Sequence, residues 1–141
     1  MLQIEEITPM FTGIVTTGDK YEEDMYNDAG IIEASKGDLK TYQTVVAVGP
    51  MVRDIKVGDK VMINVMNYAV MKYDKNSLQN DLDNNKRVQW KFNWVSIMQN
   101  GKPTDCLLLQ DRDILFSFKG KEVQGKKSVL MMPKDKKLVV N

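Results

Sequence analysis

Two short apolar runs and the corner between them constrain this chain more than anything else in it. Val45-Val46-Ala47-Val48-Gly49-Pro50 is followed, three residues on, by Asp54-Ile55-Lys56-Val57-Gly58-Asp59-Lys60-Val61-Met62-Ile63. Runs rich in β-branched residues and punctuated by glycine are the pattern of short, buried strands. The stretch therefore reads as a strand, a tight Gly-Pro turn, a Val-Gly-Asp-Lys-Val corner and a second buried strand. No segment of this kind suits a helical bundle, and the expected fold class is all-β.

The remaining segments extend that pattern. Ile7, Met10 and Phe11 lead into a first strand through Gly13-Ile14-Val15-Thr16-Thr17-Gly18. Thr41 to Val48 forms the next, and Met51 to Lys56 is a short bridge. Val61 to Tyr73 reads as a strand, a polar turn and a short strand. Asp74 to Arg87, with Asn76, Asn80, Asn84 and Asn85, reads as a loop or frayed helical turn. Val88 to Met98 alternates apolar and polar residues, which predicts one half-buried strand. Trp90, Phe92 and Trp94 would then share a face of it, either covering the barrel or closing a local hairpin, or forming a subunit interface, where such residues are enriched. Asn100-Gly101-Lys102-Pro103 is a turn, and Cys106 to Leu109 and Ile114 to Phe118 are closing strands. Asp111-Arg112-Asp113, the best acidic cluster for a carboxylate-only enzyme, falls between those strands and reads as a turn.

Asp19 to Lys40 breaks the pattern. It opens with the acidic, aromatic Asp19-Lys20-Tyr21-Glu22-Glu23-Asp24-Met25-Tyr26 and has too little apolar content to predict a strand. An excursion of about 20 residues in a compact domain is usually functional. Within it, Gly30-Ile31-Ile32 is an apolar pair behind a glycine, flanked by polar residues. The pair either packs on the sheet as a short strand or is displayed for a partner.

Composition removes several kinds of chemistry. The chain has 141 residues, no histidine and one cysteine, Cys106. Ser-His-Asp and Cys-His arrangements and histidine-based metal sites are thereby absent, as is any internal disulfide. No Gly-rich phosphate loop is present. The expectation is a protein that is not an enzyme and uses no metal or cofactor. No apolar run approaches the roughly 18 residues of a membrane span, and no secretory signal is visible, so a cytoplasmic location is expected. Net charge is +1, but the stretch 119–141 carries seven lysines against Glu122 and Asp135, a local excess of +5. That tail lacks the arginine clusters and interleaved aromatics that stack on bases, so nucleic acid is set aside as a partner. Val129-Leu130-Met131-Met132-Pro133 and Leu138-Val139-Val140, separated by lysines, could add a strand to a neighbouring subunit's edge.

Four of these segments together resemble the small co-chaperonin family (chaperonin-10, GroES-like). Ile7-Thr8-Pro9-Met10 is similar to that family's opening element. Ala47-Val48-Gly49 followed by Ile55-Lys56-Val57-Gly58-Asp59-Lys60-Val61 is similar to its strand and corner. Leu107-Leu108-Leu109-Gln110-Asp111-Arg112-Asp113-Ile114-Leu115 is similar to its C-terminal element. Gly30-Ile31-Ile32 falls where the family's mobile loop carries the apolar residues that dock on a chaperonin, although Ala29 and Glu33 depart from the family's glycine and third apolar residue. The resemblance covers about 7–73 and 106–118. It implies a GroES-like, partly open β-barrel over 1–118, with a loop at 19–40 and an inserted hairpin within 74–105, followed by a basic C-terminal arm at 119–141. It further implies a homo-oligomeric ring that caps a chaperonin and assists protein folding. The roof hairpin of many family members is reduced to Met51-Val52-Arg53-Asp54, as in phage-encoded co-chaperonins; ten methionines and no histidine also suit a phage or low-GC genome. The alternative expectation is a phage structural protein, a capsid auxiliary or decoration subunit found in the virion, on the same barrel. The related barrel of medium-chain dehydrogenases is set aside, because its zinc ligands and nucleotide-binding domain are missing.

Overall fold

The computed structural model describes residues 2–73 and 86–125. Of the loop expected over 74–87, residues 74–85 lie outside the described residues, as do the two apolar stretches beyond 125, whereas Lys86 and Arg87 belong to a strand. The chain divides into two units, Met1–Gly18 with Thr41–Phe118, and Asp19–Lys40 with Lys119–Asn141. In chain order the strands are β1 (Gly13–Thr17), β2 (Met25–Tyr26), β3 (Ile32–Ala34), β4 (Tyr42–Val48), β5 (Lys60–Ile63), β6 (Ala69–Tyr73), β7 (Lys86–Trp90), β8 (Trp94–Gln99), β9 (Lys102–Gln110) and β10 (Ile114–Phe118). Among the described residues the helical content is two 3₁₀ turns, Val65–Tyr68 and Asp111–Asp113.

The first unit is built on a six-stranded antiparallel sheet in the order β10-β5-β4-β1-β9-β8, and β6 and β7 form a separate two-stranded ladder. The expectation was a partly open barrel; the fold is mostly β, and this sheet is open, with β10 and β8 as unjoined ends. β1 lies near the middle, paired to β4 on one side and β9 on the other. Successive side chains on a strand point to opposite faces, and both faces of β1 are covered. Ile14 packs with Val45 and Val61 on one face, under Val48, Val52, Ile55 and Ile114. Val15 packs with Ile97 and Cys106 on the other, under Ile4, Ile7, Val46, Ala47, Val95 and Leu108. This two-sided burial is why β1 and β4 read as near-continuous apolar runs rather than alternating ones. A shift in the β1–β4 register between Val15 and Thr16 leaves Val46 as an extra residue, a β-bulge that adds local twist.

Two corners fix how β4 sits in the sheet. At Gly49 the backbone amide donates to the Gly13 carbonyl (2.8 Å), and a Cβ at Gly49 would stand 2.3 Å from the Phe11 carbonyl oxygen, so only glycine fits. The Val-Gly-Asp corner is a turn over Lys56–Asp59. The Asp59 amide donates to the Lys56 carbonyl (3.1 Å), and the Asp59 carboxylate accepts from the Lys56 amide (2.9 Å). Gly58 sits at φ +96°, the left-handed conformation this turn needs at its third position. The corner then brackets β4: the Gly58 amide donates to the Val45 carbonyl and the Val45 amide to the Asp59 carbonyl, both at 2.8 Å.

Residues 88–98 differ from expectation. They form two strands with different partners instead of one. β7 pairs with β6, Ala69 opposite Trp90, whereas β8 pairs with β9, Trp94 opposite Leu107. The handover occurs at Lys91-Phe92-Asn93, where the Lys91 amide donates to Tyr68 (2.8 Å) and the Leu108 amide to Asn93 (2.9 Å). Alternation through Val88, Trp90, Phe92 and Trp94 crosses that junction and slips phase only at Trp94-Val95, after which Val95 and Ile97 face inward, so that slip is the sequence's sign of the joint. Within 74–105, β7 pairs with β6 in the ladder that stands apart from the main sheet, whereas β8 turns back at Asn100-Gly101 (φ +52° and +79°) to pair with β9. Beyond β8, Ile4 forms a single parallel bridge with Ile97, and the Met98 amide donates to the Ile4 carbonyl (2.7 Å).

Candidate functional site

The second unit holds the apolar pair singled out from sequence. The excursion 19–40 is not strandless. Met25 pairs with Ala34 and Tyr26 with Ile32, with a bulge between them, and Lys20 bridges Leu39 nearer the base. Side-chain caps rather than apolar alternation produce this hairpin, so the composition of the segment gave no signal of it.

Asn27 organises the tip. Its amide donates to the Ile31 carbonyl (2.9 Å) and its carbonyl accepts from the Gly30 amide (3.0 Å). Its side-chain oxygen accepts from the amides of Ala29 (2.9 Å) and Ile31 (3.0 Å). Gly30 sits at φ +80°, a conformation costly for any residue with a Cβ, and that geometry turns the chain into β3. A second turn, Ser35–Asp38, repeats the corner described at Lys56–Asp59. The Asp38 amide donates to the Ser35 carbonyl (3.0 Å), the Asp38 carboxylate accepts from the Ser35 amide (2.9 Å), and Gly37 lies at φ +92°. It brackets Tyr21 as the other brackets Val45, through Gly37 to Tyr21 (2.8 Å) and Tyr21 to Asp38 (2.9 Å). The shared Gly-Asp pair, at 37–38 and 58–59, was the sequence signal that could have revealed it.

The outcome for the pair is display. Ile31 is 62% exposed and Ile32, although it pairs with Tyr26 through its backbone, is 41% exposed. Gly30 is buried beneath them. Of the two arrangements left open by the sequence, Ile32 adopts the short strand yet neither side chain is covered.

The segment after β10 contributes a further lane that sequence reading missed entirely. Tyr26, 7% exposed, donates its amide to the Gln124 side-chain oxygen (2.8 Å) and accepts at its carbonyl from the Gly125 amide (2.9 Å). The Gln124 amide group donates to the Asp24 carbonyl (2.7 Å) and reaches Glu23 (3.5 Å). Glu122 forms an ion pair with Lys40, and that hydrogen bond raises the Lys40 pKa above its ordinary value. The Lys40 ammonium also lies 5.4 Å from the Tyr21 ring centre.

The three aromatic residues named as an interface do not share one strand face. Trp90 ends β7 and Trp94 begins β8, 47% and 45% exposed, while Phe92 lies in the link between them and stacks at 5.1 Å on Tyr68. The other exposed aromatic on a sheet edge is Phe116 of β10 (52%), beside Leu115 (56%).

Asp113 is the one buried carboxylate among the described residues, 3% exposed. It accepts from the Asn67 side chain (2.8 Å), the Gln110 amide (3.0 Å) and the Tyr68 hydroxyl, and with Gln110 it completes a capping box over the Asp111–Asp113 turn. Burial, and after it this bond to Asp113, raises the Tyr68 pKa above its ordinary 10.0. The turn expected at 111–113 is thus present, and the acceptor sites of its buried carboxylate are committed to tying the Val65–Tyr68 turn to the end of β9.

No protein-family model matches the chain, and no curated protein sequence matches it. Among the described residues, no helix is long and apolar enough to cross a membrane.

Proposed function

We propose that this protein is a non-enzymatic, co-chaperonin-like lid: a GroES-like subunit that docks on an apolar groove of a chaperonin ring through Ile31 and Ile32 and so assists protein folding. One observation carries the reading: two adjacent isoleucines are held out of the core at the tip of a hairpin whose turn is fixed by Asn27 and Gly30. Displaying such area to water is unfavourable, and covering each side chain returns about 2 kcal/mol. A single pair makes a weak contact. Several copies in one ring raise the effective concentration enough for tight, reversible capping. The hairpin is already ordered by its own turn bonds, which lowers the ordering cost of docking compared with a structureless loop. No cofactor, metal or nucleic acid enters this reading, and its place is the cytoplasm, that of the host if the gene is viral.

The test is capture by a purified group I chaperonin with nucleotide, read by size-exclusion chromatography. The wild-type chain is expected to co-elute with the chaperonin, and Ile32→Asp to remain free with an unchanged circular dichroism spectrum. Co-elution of Ile32→Asp at the wild-type level contradicts the docking role.

A second reading is a phage structural subunit assembled through its sheet edges. It is favoured by the exposure of Leu115 and Phe116 on the end strand β10 and of Trp90 on β7. Presence of the chain in purified virions, with no capture by chaperonin, would select it over the lid.

A further inference from the structure

We propose that Gln124 and Gly125 are positioning residues for the Ile31–Ile32 contact, a strap that sets the geometry of a docking tip it does not itself reach. This inference rests on the reading of that pair as the docking site.

Peptide groups on a strand point alternately to its two sides. The Asn27 amide bonds to Ile31 in the paired strand, so the N–H and C=O of Tyr26 face the opposite edge of β2. Gln124 and Gly125 occupy that edge and satisfy both groups, at 2.8 and 2.9 Å. Tyr26 is buried, so its peptide groups have no bulk water to fall back on, and losing these partners leaves two unsatisfied polar groups in the hairpin. The strap also lies directly against Asn27. A Cβ at Gly125 would stand 2.2 Å from the Asn27 carbonyl oxygen and 2.5 Å from its carbonyl carbon. That oxygen is the acceptor for Gly30, and the side chain of the same residue holds Ala29 and Ile31. Any side chain at 125 must push Asn27 away, and the turn that aims Ile31 moves with it. The glycine at 125 is set by close approach to Asn27, and the glutamine at 124 by its ability to accept from Tyr26 and donate to Asp24 with one side chain.

The experiment uses the full chain with Gln124→Ala and Gly125→Val, hydrogen exchange at single amides, and binding kinetics on an immobilised group I chaperonin with nucleotide. The amides of Ala29, Gly30 and Ile31 are expected to exchange about tenfold faster in both variants, as loss of one or two hydrogen bonds implies. Those of Val15 and Leu107 in the main sheet should keep their wild-type rates. Gly125→Val must also displace Asn27 and re-aim Ile31, so its association should slow by the fraction of tips left out of the docking geometry while dissociation stays unchanged. Ile32→Asp, by contrast, removes the contact and should speed dissociation. Unchanged exchange at 29–31 in both variants overturns the proposal. So does wild-type association of Gly125→Val. If the wild-type chain does not bind the chaperonin, the lid reading fails, and exchange at 29–31 alone then decides whether the strap holds the turn.

Discussion

Asp113 shows at the scale of one residue how a polar group comes to specify this fold. A carboxylate 3% exposed is costly to bury unless its acceptor sites are filled, and Asn67, Tyr68 and Gln110 fill them. Asp113→Ala would leave three donors without an acceptor, and the expected loss is about 2–4 kcal/mol, seen as a lower urea midpoint with an unchanged slope. Tyr68 adds a pH dependence of defined sign. Its folded pKa is raised, by burial first and by Asp113 second, above an ordinary value of 10.0, so the neutral phenol is favoured in the folded chain. That contribution is fully present below pH 10 and is lost as the pH rises toward the folded value. Lys40, raised by its bond to Glu122, has the same sign in the same alkaline range. Stability measured by urea titration should therefore show no loss from these two groups between pH 7 and 9 and a decline above about 10. Tyr68→Phe should start lower and decline less.

At the scale of elements, the repeated corner is the simplest device in the chain. Lys56–Asp59 and Ser35–Asp38 use the same Asp-to-amide bond and the same left-handed glycine, one beside β4 and one beside Tyr21. Asp59→Ala should lower the urea midpoint by an amount equivalent to about 1 kcal/mol, the worth of one hydrogen bond. Asp38→Ala should instead speed amide exchange at Ser35 and Tyr21. Legibility in the sequence divides along the same line. β1, β4 and β9 were readable because burial on two faces writes apolar runs into the chain, and β5 and β10 because their own residues are mostly apolar. The hairpin at 25–34 was not, because Asn27 and Asp38 order it through bonds to the backbone, which leave no periodicity. The joint at Lys91-Phe92-Asn93 was marked only by the phase slip at Trp94-Val95, since alternation from Val88 to Trp94 continues while the pairing partner changes. The apolar pair itself was legible as an anomaly; its exposure was not, and the lane made by Gln124 and Gly125 depends on residues about a hundred positions away.

At the scale of the whole molecule, the open sheet leaves end strands to manage. Exposed strand edges invite pairing with another chain unless charge or a bulge blocks them. β10 is bulged between Ile114 and Phe116, which hinders strand addition at its edge, yet it presents Leu115 and Phe116 to solvent. If copies join through this edge, Phe116→Lys should reduce the molar mass found by light scattering to that of one chain without changing the circular dichroism spectrum. An unchanged oligomer would move the contact elsewhere, with Trp90 the next residue to substitute. The most direct measurement is negative-stain imaging of the wild-type chain mixed with a group I chaperonin and nucleotide, beside Ile32→Asp under the same conditions. A lid should give rings closed by an added layer of density with the wild-type chain, and bare rings with the variant. Bare rings in both, with the protein intact and folded, would contradict the docking role of Ile31 and Ile32.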